Sequence, residues 1–373
     1  MSPLRLGLNL LHLVPGETGG AEVYARRLIP ALLEARPELQ PVLFTGREAA
    51  PSLAGEDWAD RVTIVPLRVH TRSRFKRVAA EQTLLPVAAR RADIDLLHNL
   101  FTTAPALPTV PQVTTIHDLI YKRFPETHAG VLSRGLALLV PLAARRSQRV
   151  IAPSEATKAD LVRYLGVAPG RVDVTYEGPG LAEGLVPPGE AELRRRFELG
   201  DAPLVLSVSA KRPHKNLERL LDAISRVSSE PSPVLLVSGY PTSFEAELRR
   251  RAGDRVHFAG WVDDETLEGL YRIAICLAFP SLAEGFGLPV LEAMRRGVPV
   301  ACSNTTSLPE VAGEAALYFD PTDTAAIAAA LDRILGDGAL RERLAAAGVA
   351  QAGKFSWEAT AQATLESYER ALA

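Results

Sequence analysis

The chain has 373 residues, 47% hydrophobic and 23% charged, which is a globular composition with room for two domains. The longest apolar run, 131–144, is interrupted by Ser133, Arg134 and Pro141 and falls short of the ~18 residues of a membrane span. Net charge is −2, yet residues 1–180 hold 22 Lys+Arg against 17 Asp+Glu (+5) and the remainder holds 20 against 27 (−7), a balance that argues against nucleic acid as partner.

The opening residues lack a basic stretch followed by a small-residue cleavage site, so they read as a first buried strand and the expected compartment is the cytoplasm. Strand-like apolar runs at 5–10, 40–44, 62–65, 96–98, 112–115, 149–152 and 172–176 alternate with helical patterns, among them 20–35 and 154–165. Ser154 suits the cap of the second of these helices. This βαβα rhythm predicts a parallel sheet covered on both faces. Between the first strand and first helix, Gly19 and Gly20 would let a ligand approach the backbone, with Glu22 near the helix start. The stretch from Arg68 to Arg91 carries seven basic residues and one acid. It reads as a solvated helix face or as a patch for anionic lipid or a phosphate-bearing acceptor, and so as a peripheral contact with the inner face of the plasma membrane. Asp93 and Asp95 mimic a metal-binding Asp-x-Asp but sit at a strand start, where they read as punctuation. His117 and Asp118 end the apolar run 112–115 and read as a pair at a strand's carboxyl end.

Residues 177–203 are rich in glycine and proline and read as an interdomain connection. The rhythm then restarts, with strands at 204–209, 234–239, 256–259, 275–280 and 299–303 and helices at 216–227, 243–252, 263–273, 289–296 and 324–336. Asp263 reads as a helix cap. Cys276 and Cys302 fall in strand-like runs and read as two buried thiols. The domains are therefore expected at 1–180 and 204–355, joined by 181–203, with a last helix in 356–373 crossing back to the first. Two successive doubly wound domains imply an interdomain cleft faced by strand ends.

Two loops of the second domain carry the chemistry. After its first strand come Lys211, Arg212 and Lys215, cations where a pyrophosphate would need them. After the strand 275–280 comes the turn Gly285, Phe286, Gly287, Leu288, running into a helix with Pro289 expected at its first position. The positive end of that helix favours an anion. Glu284 and Glu292 flank the turn, with Glu292 expected in the first helical turn. A carboxylate beside a phosphate repels it unless it serves hydroxyls, and a nucleotide-sugar carries phosphate and hydroxyls together. Ser307 and Glu310 close the next strand.

The stretches "GGAE", "IHDL", "PSEATKADL", "KN", "GW", "EGFGLPVLEAM", "PEVAG" and "FSWE" together resemble glycosyltransferase family 4, the mannosyltransferase-like group 1 enzymes of the GT-B fold. The resemblance covers nearly the whole chain. It implies a retaining, metal-independent transfer of a hexose from a nucleoside diphosphate sugar, GDP-mannose by the "IHDL" and "RFPE" likeness, to a hydroxyl of a saccharide, lipid-linked or small-molecule acceptor, with no cofactor. Glu292 would bind the donor ribose and Glu284 the donor sugar. The backbone from Phe286 to Leu288 would meet phosphate and sugar, and Lys215 would neutralise the pyrophosphate. Gly20 would approach the phosphate, and His117 would lie by the reaction centre. In the family an arginine often follows the first strand of the second domain. Ser209 and Ala210 stand there in this chain, leaving Lys211 or Arg212 to substitute. Alternatives on the same fold are an epimerase or phosphorylase, or a subunit that only binds nucleotide-sugar.

Overall fold

A computed structural model describes residues 3–125 and 131–373; Glu126, in the "RFPE" stretch, lies outside the described residues. The chain divides into two units, Met1–Gly180 with Ser356–Ala373, and Leu181–Phe355.

In the first unit β1 (Arg5–Leu10), β2 (Gln40–Thr45), β3 (Thr63–Pro66), β4 (Leu96–Asn99), β5 (Gln112–Thr115), β6 (Arg149–Ala152) and β7 (Val172–Val174) form one parallel sheet in the order β3-β2-β1-β4-β5-β6-β7. All but the first residue of β1 and of β2 are buried, which is the signature of a sheet covered by helices on both faces rather than one face wet. The core beneath β1 is built from Leu6, Leu8 and Leu10 against Tyr24, Leu28 and Leu32 of the helix Gly20–Ala35. Asp95 accepts the amide of Arg5 at 2.8 Å, so its carboxylate is punctuation between β1 and β4.

The last helix, Trp357–Leu372, is capped by Ser356 and belongs to the first unit. Its side chains reach deep into that unit. Trp357 Nε1 donates to the Pro179 carbonyl at 2.8 Å and Thr360 Oγ1 to that of Tyr176 at 2.6 Å. The Tyr368 hydroxyl meets Nδ1 of buried His98 at 2.7 Å.

In the second unit β8 (Leu204–Val208), β9 (Val234–Ser238), β10 (Val256–Gly260), β11 (Ala274–Phe279), β12 (Val300–Ser303) and β13 (Ala316–Phe319) form a second parallel sheet, ordered β10-β9-β8-β11-β12-β13. Cys276 and Cys302 are free, buried thiols in the adjacent strands β11 and β12. Residues 181–203 are part of this unit and not a free connection. Leu193 and Leu199 must be buried, and the helix Glu190–Arg196 lies so close to the helix Asp264–Ile273 that a Cβ on Gly269 would come within 2.7 Å of Leu193. Strand β13 has no counterpart in the sequence reading.

Each sheet reverses its order once, between β1 and β4 and between β8 and β11. In open α/β sheets ligands bind outside the carboxyl ends of the strands at such switch points.

Candidate functional site

The loops that leave β8 and β11 hold the cations and the glycine turn. Lys215 ends a single 3-10 turn, Pro213–Lys215, and its Nζ donates to both carboxylate oxygens of Glu284, at 2.6 and 2.8 Å. The two side chains are only 17% and 11% exposed, so the pair is sheltered yet reachable. Neighbours fix the geometry. Asn216, in the left-handed region at φ 57°, donates through Nδ2 to the carbonyls of Pro280 (3.0 Å) and Pro321 (2.7 Å). That one buried amide ties three loops together. Thr306 Oγ1 accepts the amide of Glu284 at 3.0 Å. The Ser307 hydroxyl lies 3.1 Å from the Glu284 carbonyl and 2.6 Å from that of Phe286, donating to one at a time.

Gly287 has φ 120°, and an added Cβ would stand 2.9 Å from Leu308, so both backbone and space demand glycine there. The helix after it is Leu288–Arg295, which makes Pro289 its second residue and puts Glu292 beyond the first turn. The sequence reading had each one position too early, because glycine rather than leucine supplies the cap. Val290 and Leu291 donate to the Gly287 carbonyl at 3.0 and 3.3 Å and Pro289 has no amide hydrogen, so the amides of Gly287 and Leu288 are the ones without an acceptor inside the helix, at its positive end by the glycine turn. Gly285 and Leu288 are partly exposed, whereas the Phe286 side chain is core, edge-on to Phe355 at 5.7 Å.

Glu292 does not merely complement the helix dipole. It is buried, its Oε2 accepts from the Tyr271 hydroxyl at 3.0 Å, and burial pushes its carboxyl up to about 7 against the opposing pull of Arg296 and Tyr271.

The two remaining cations separate sharply. Lys211 is fully buried: its Nζ donates to the Gly239 carbonyl, and burial lowers its ammonium to about 8, with Arg249 adding to the fall and Glu245 opposing it. Arg212 is exposed, and its guanidinium has no hydrogen bond or ion pair among the described residues.

The first unit presents its own set at the ends of β1, β4 and β5. Gly19 lies at φ 59° with open space where a side chain would be, and Gly20 starts the helix Gly20–Ala35. Glu22 closes this loop on itself, accepting from the Gly16 amide and from Arg26 Nε, each at 2.9 Å. His117 and Asp118 are not partners. Asp118 accepts the amide of Ile120 at 2.9 Å, closing a turn. His117 instead has Nδ1 3.4 Å from Glu177 and Nε2 2.9 Å from the Leu100 carbonyl. Glu177 carried no signal of its own in the sequence beyond the glycines and prolines around it. Asn216, Thr306 and Tyr271 were equally silent, since their importance lies in which loop they reach. Among the described residues no group of three or more His, Cys, Asp or Glu is placed to hold a metal ion.

Two doubly wound parallel sheets, each with polar side chains gathered in the loops that leave its strands, are the arrangement of the GT-B fold, and the family models give the class as glycosyltransferase. Residues 18–179 match Glycosyltransferase Family 4 and residues 190–351 match Glycosyl transferases group 1. The chain is 33% identical over 268 residues to O-antigen chain mannosyltransferase B of Escherichia coli, covering 69% of this chain and 70% of that one. It is 28% identical to the MMP alpha-(1->4)-mannosyltransferase of Mycolicibacterium hassiacum over 95% of both. Among solved structures, Anabaena HepE in complex with UDP and glucose superposes with a TM-score of 0.77 at 20% identity, over 98% of this chain and 99% of that one. The protein belongs to glycosyltransferase family 4.

Proposed function

We propose that this glycosyltransferase moves mannose from GDP-mannose to a hydroxyl of a saccharide, lipid-linked or small-molecule acceptor, retaining the anomeric configuration and using no metal. The observation that carries the reading is the Lys215–Glu284 pair, held at the glycine turn before the helix Leu288–Arg295 with Glu292 buried beyond it. Lys215 turns from Glu284 toward the pyrophosphate and stabilises the charge that grows on the leaving diphosphate, together with Arg212 and the amides of Gly287 and Leu288. Glu284, released, accepts from hydroxyls of the sugar, and Glu292 from those of the ribose. Retention follows if the departing β-phosphate oxygen takes the acceptor's proton on the face it leaves. A covalent route would need a carboxylate free to attack the anomeric carbon. In this reading both glutamates are taken up by hydroxyls, Glu284 by those of the sugar and Glu292, beside Tyr271, by those of the ribose, which supports the first route. Both curated relatives are named as mannosyltransferases, which supports the sugar.

The test is transfer by the purified chain from GDP-mannose and from UDP-glucose, with and without EDTA, and the anomeric configuration of the product read by NMR. GDP-mannose is expected to be the better donor, with rate unchanged by EDTA and configuration retained. Preference for UDP-glucose overturns the sugar, activity lost in EDTA and restored by metal overturns the metal-free route, and inversion overturns the mechanism.

The acceptor reading has a membrane side. At the start of the helix Arg74–Arg91, Phe75 is 85% exposed between exposed Arg74 and Lys76, with Arg68 and Arg72 exposed nearby. An apolar ring among cations fits the headgroup layer of an anionic bilayer, so we assign peripheral contact with the cytoplasmic leaflet to this patch. Co-sedimentation with vesicles rich in phosphatidylglycerol is expected to weaken with salt and to be lost in a variant carrying Arg74→Ser, Phe75→Ser and Lys76→Ser. Wild-type binding by that variant removes the assignment.

A further inference from the structure

We propose that Glu177 is a positioning residue for His117, holding the ring doubly protonated so that it serves as a standing cation and neither as general acid nor as general base. The argument is geometric. A carbonyl oxygen only accepts, so Nε2, 2.9 Å from the Leu100 carbonyl, carries a hydrogen. Nδ1 then faces a Glu177 carboxylate oxygen at 3.4 Å. A lone pair aimed at that oxygen would be repelled, and a proton on Nδ1 converts repulsion into a charge-assisted hydrogen bond. Both ring hydrogens are thereby committed within the first unit.

Glu177 is itself buried and held from both sides. The carbonyl of Tyr176 before it and that of Pro179 after it accept from Thr360 and Trp357 of the last helix. The backbone that carries the carboxylate is therefore braced on both sides. The other groups around His117 leave it as the charged member. Asp118 on its own loop adds attraction, and the Tyr24 ring stands edge-on at 4.8 Å. His98 is pushed down to about 3, by burial first and His117 second. His12, stacked on Phe101 at 4.6 Å, is held well below the usual range by burial, then Arg77 and His117. For His117 burial pulls the same way, but Glu177, the Leu100 carbonyl and Asp118 together outweigh it and the net direction is up from 6.5. A fixed positive charge at the carboxyl end of β5 suits a ligand whose negative charge grows during reaction.

The experiment is nitrogen-15 NMR of the histidine rings in the full chain, titrated from pH 5 to 9, for the wild type, Glu177→Gln and Glu177→Asp. The wild-type His117 ring is expected to show both nitrogens protonated and to titrate above 6.5. In Glu177→Gln the midpoint falls below 6.5, because burial then acts with little opposition. Glu177→Asp, with shorter reach, falls between. In transfer assays the Glu177→Gln kcat drops by about tenfold per pH unit above its new midpoint, while donor KM changes less. A wild-type ring singly protonated at pH 6 overturns the proposal, as does an unmoved midpoint in a folded Glu177→Gln. If that variant does not fold, the wild-type titration decides alone. The kinetic arm rests on the transferase reading, whereas the NMR arm does not. Failure of sugar transfer with the titration as expected counts against that reading and leaves the pair intact.

Discussion

Each unit pairs a basic side chain with a glutamate in the loops that leave its strands, and the two pairs are built in opposite ways. Lys215 and Glu284 are fixed from behind, by Asn216 and Thr306 acting on the backbone, and their charged ends meet each other, with the ammonium 5.8 Å from the centre of the Phe279 ring. His117 is fixed at its charged end, by the Leu100 carbonyl, by Glu177 and by surrounding rings, and the backbone around Glu177 is braced by a helix from the far end of the sequence. A flexible ammonium with a prepared loop can exchange partners when an anion arrives. An imidazole with both hydrogens committed cannot, and contributes a constant field. Loops built from backbone hydrogen bonds thus suit the part of a site that must respond, and packed rings suit the part that must stay.

The largest effect expected from this contrast is on stability. Trp357→Ala removes a buried indole and its bond to Pro179 and is expected to cost about 3–5 kcal/mol in urea unfolding. A cost below about 1 kcal/mol would mean that the last helix does not brace the Glu177 segment. Next comes Lys215→Ala, expected to lower kcat by roughly 10²–10³-fold with little change in Tm, since Asn216 keeps the loop. Unchanged turnover in the folded variant would break the distinction between a responsive and a static pair.

A third effect depends on pH. Glu292 stands at about 7 in the folded chain against an ordinary 4.5, so folding holds its proton more tightly. That contribution is complete below 4.5 and is lost as pH rises through about 7. Glu292→Gln is therefore expected to match wild-type stability near pH 5 and to exceed it by about 1–3 kcal/mol near pH 8, while donor affinity falls. Glu81, also raised to about 7 by burial, pulls the wild type in the same direction and is unchanged by this substitution. A stability difference that does not vary with pH would show that Glu292 is not the titrating group. The smallest effect separates the two neighbouring cations. Arg212→Ala is expected to raise donor KM about three- to fivefold at constant Tm. Lys211→Met is expected to move Tm and leave KM alone, because its side chain is fully buried. The reverse pattern would exchange their roles.

Much of this site was legible because its marks are local. The glycine turn, the proline after it and the two glutamates lie within a few positions of one another, and steric rules about φ and helix starts act over that range. The basic run 68–91 was equally visible, but its one acid was not what it looked like. Glu81 is buried and accepts from Asn9 at 3.1 Å and from Thr103 at 2.8 Å, contacts between residues far apart in sequence.

By itself the sequence determined the alternation of strand and helix, the parallel class of both sheets and the glycine turn with its flanking acids, because periodicity and backbone sterics are properties of short segments. Only the tertiary structure decided that Glu177 and not Asp118 faces His117, that Lys211 is buried while Arg212 is open, and that Glu292 is buried beside Tyr271. Those outcomes depend on the desolvation and distance of charged groups, and both are set by which loops the order of the strands brings together.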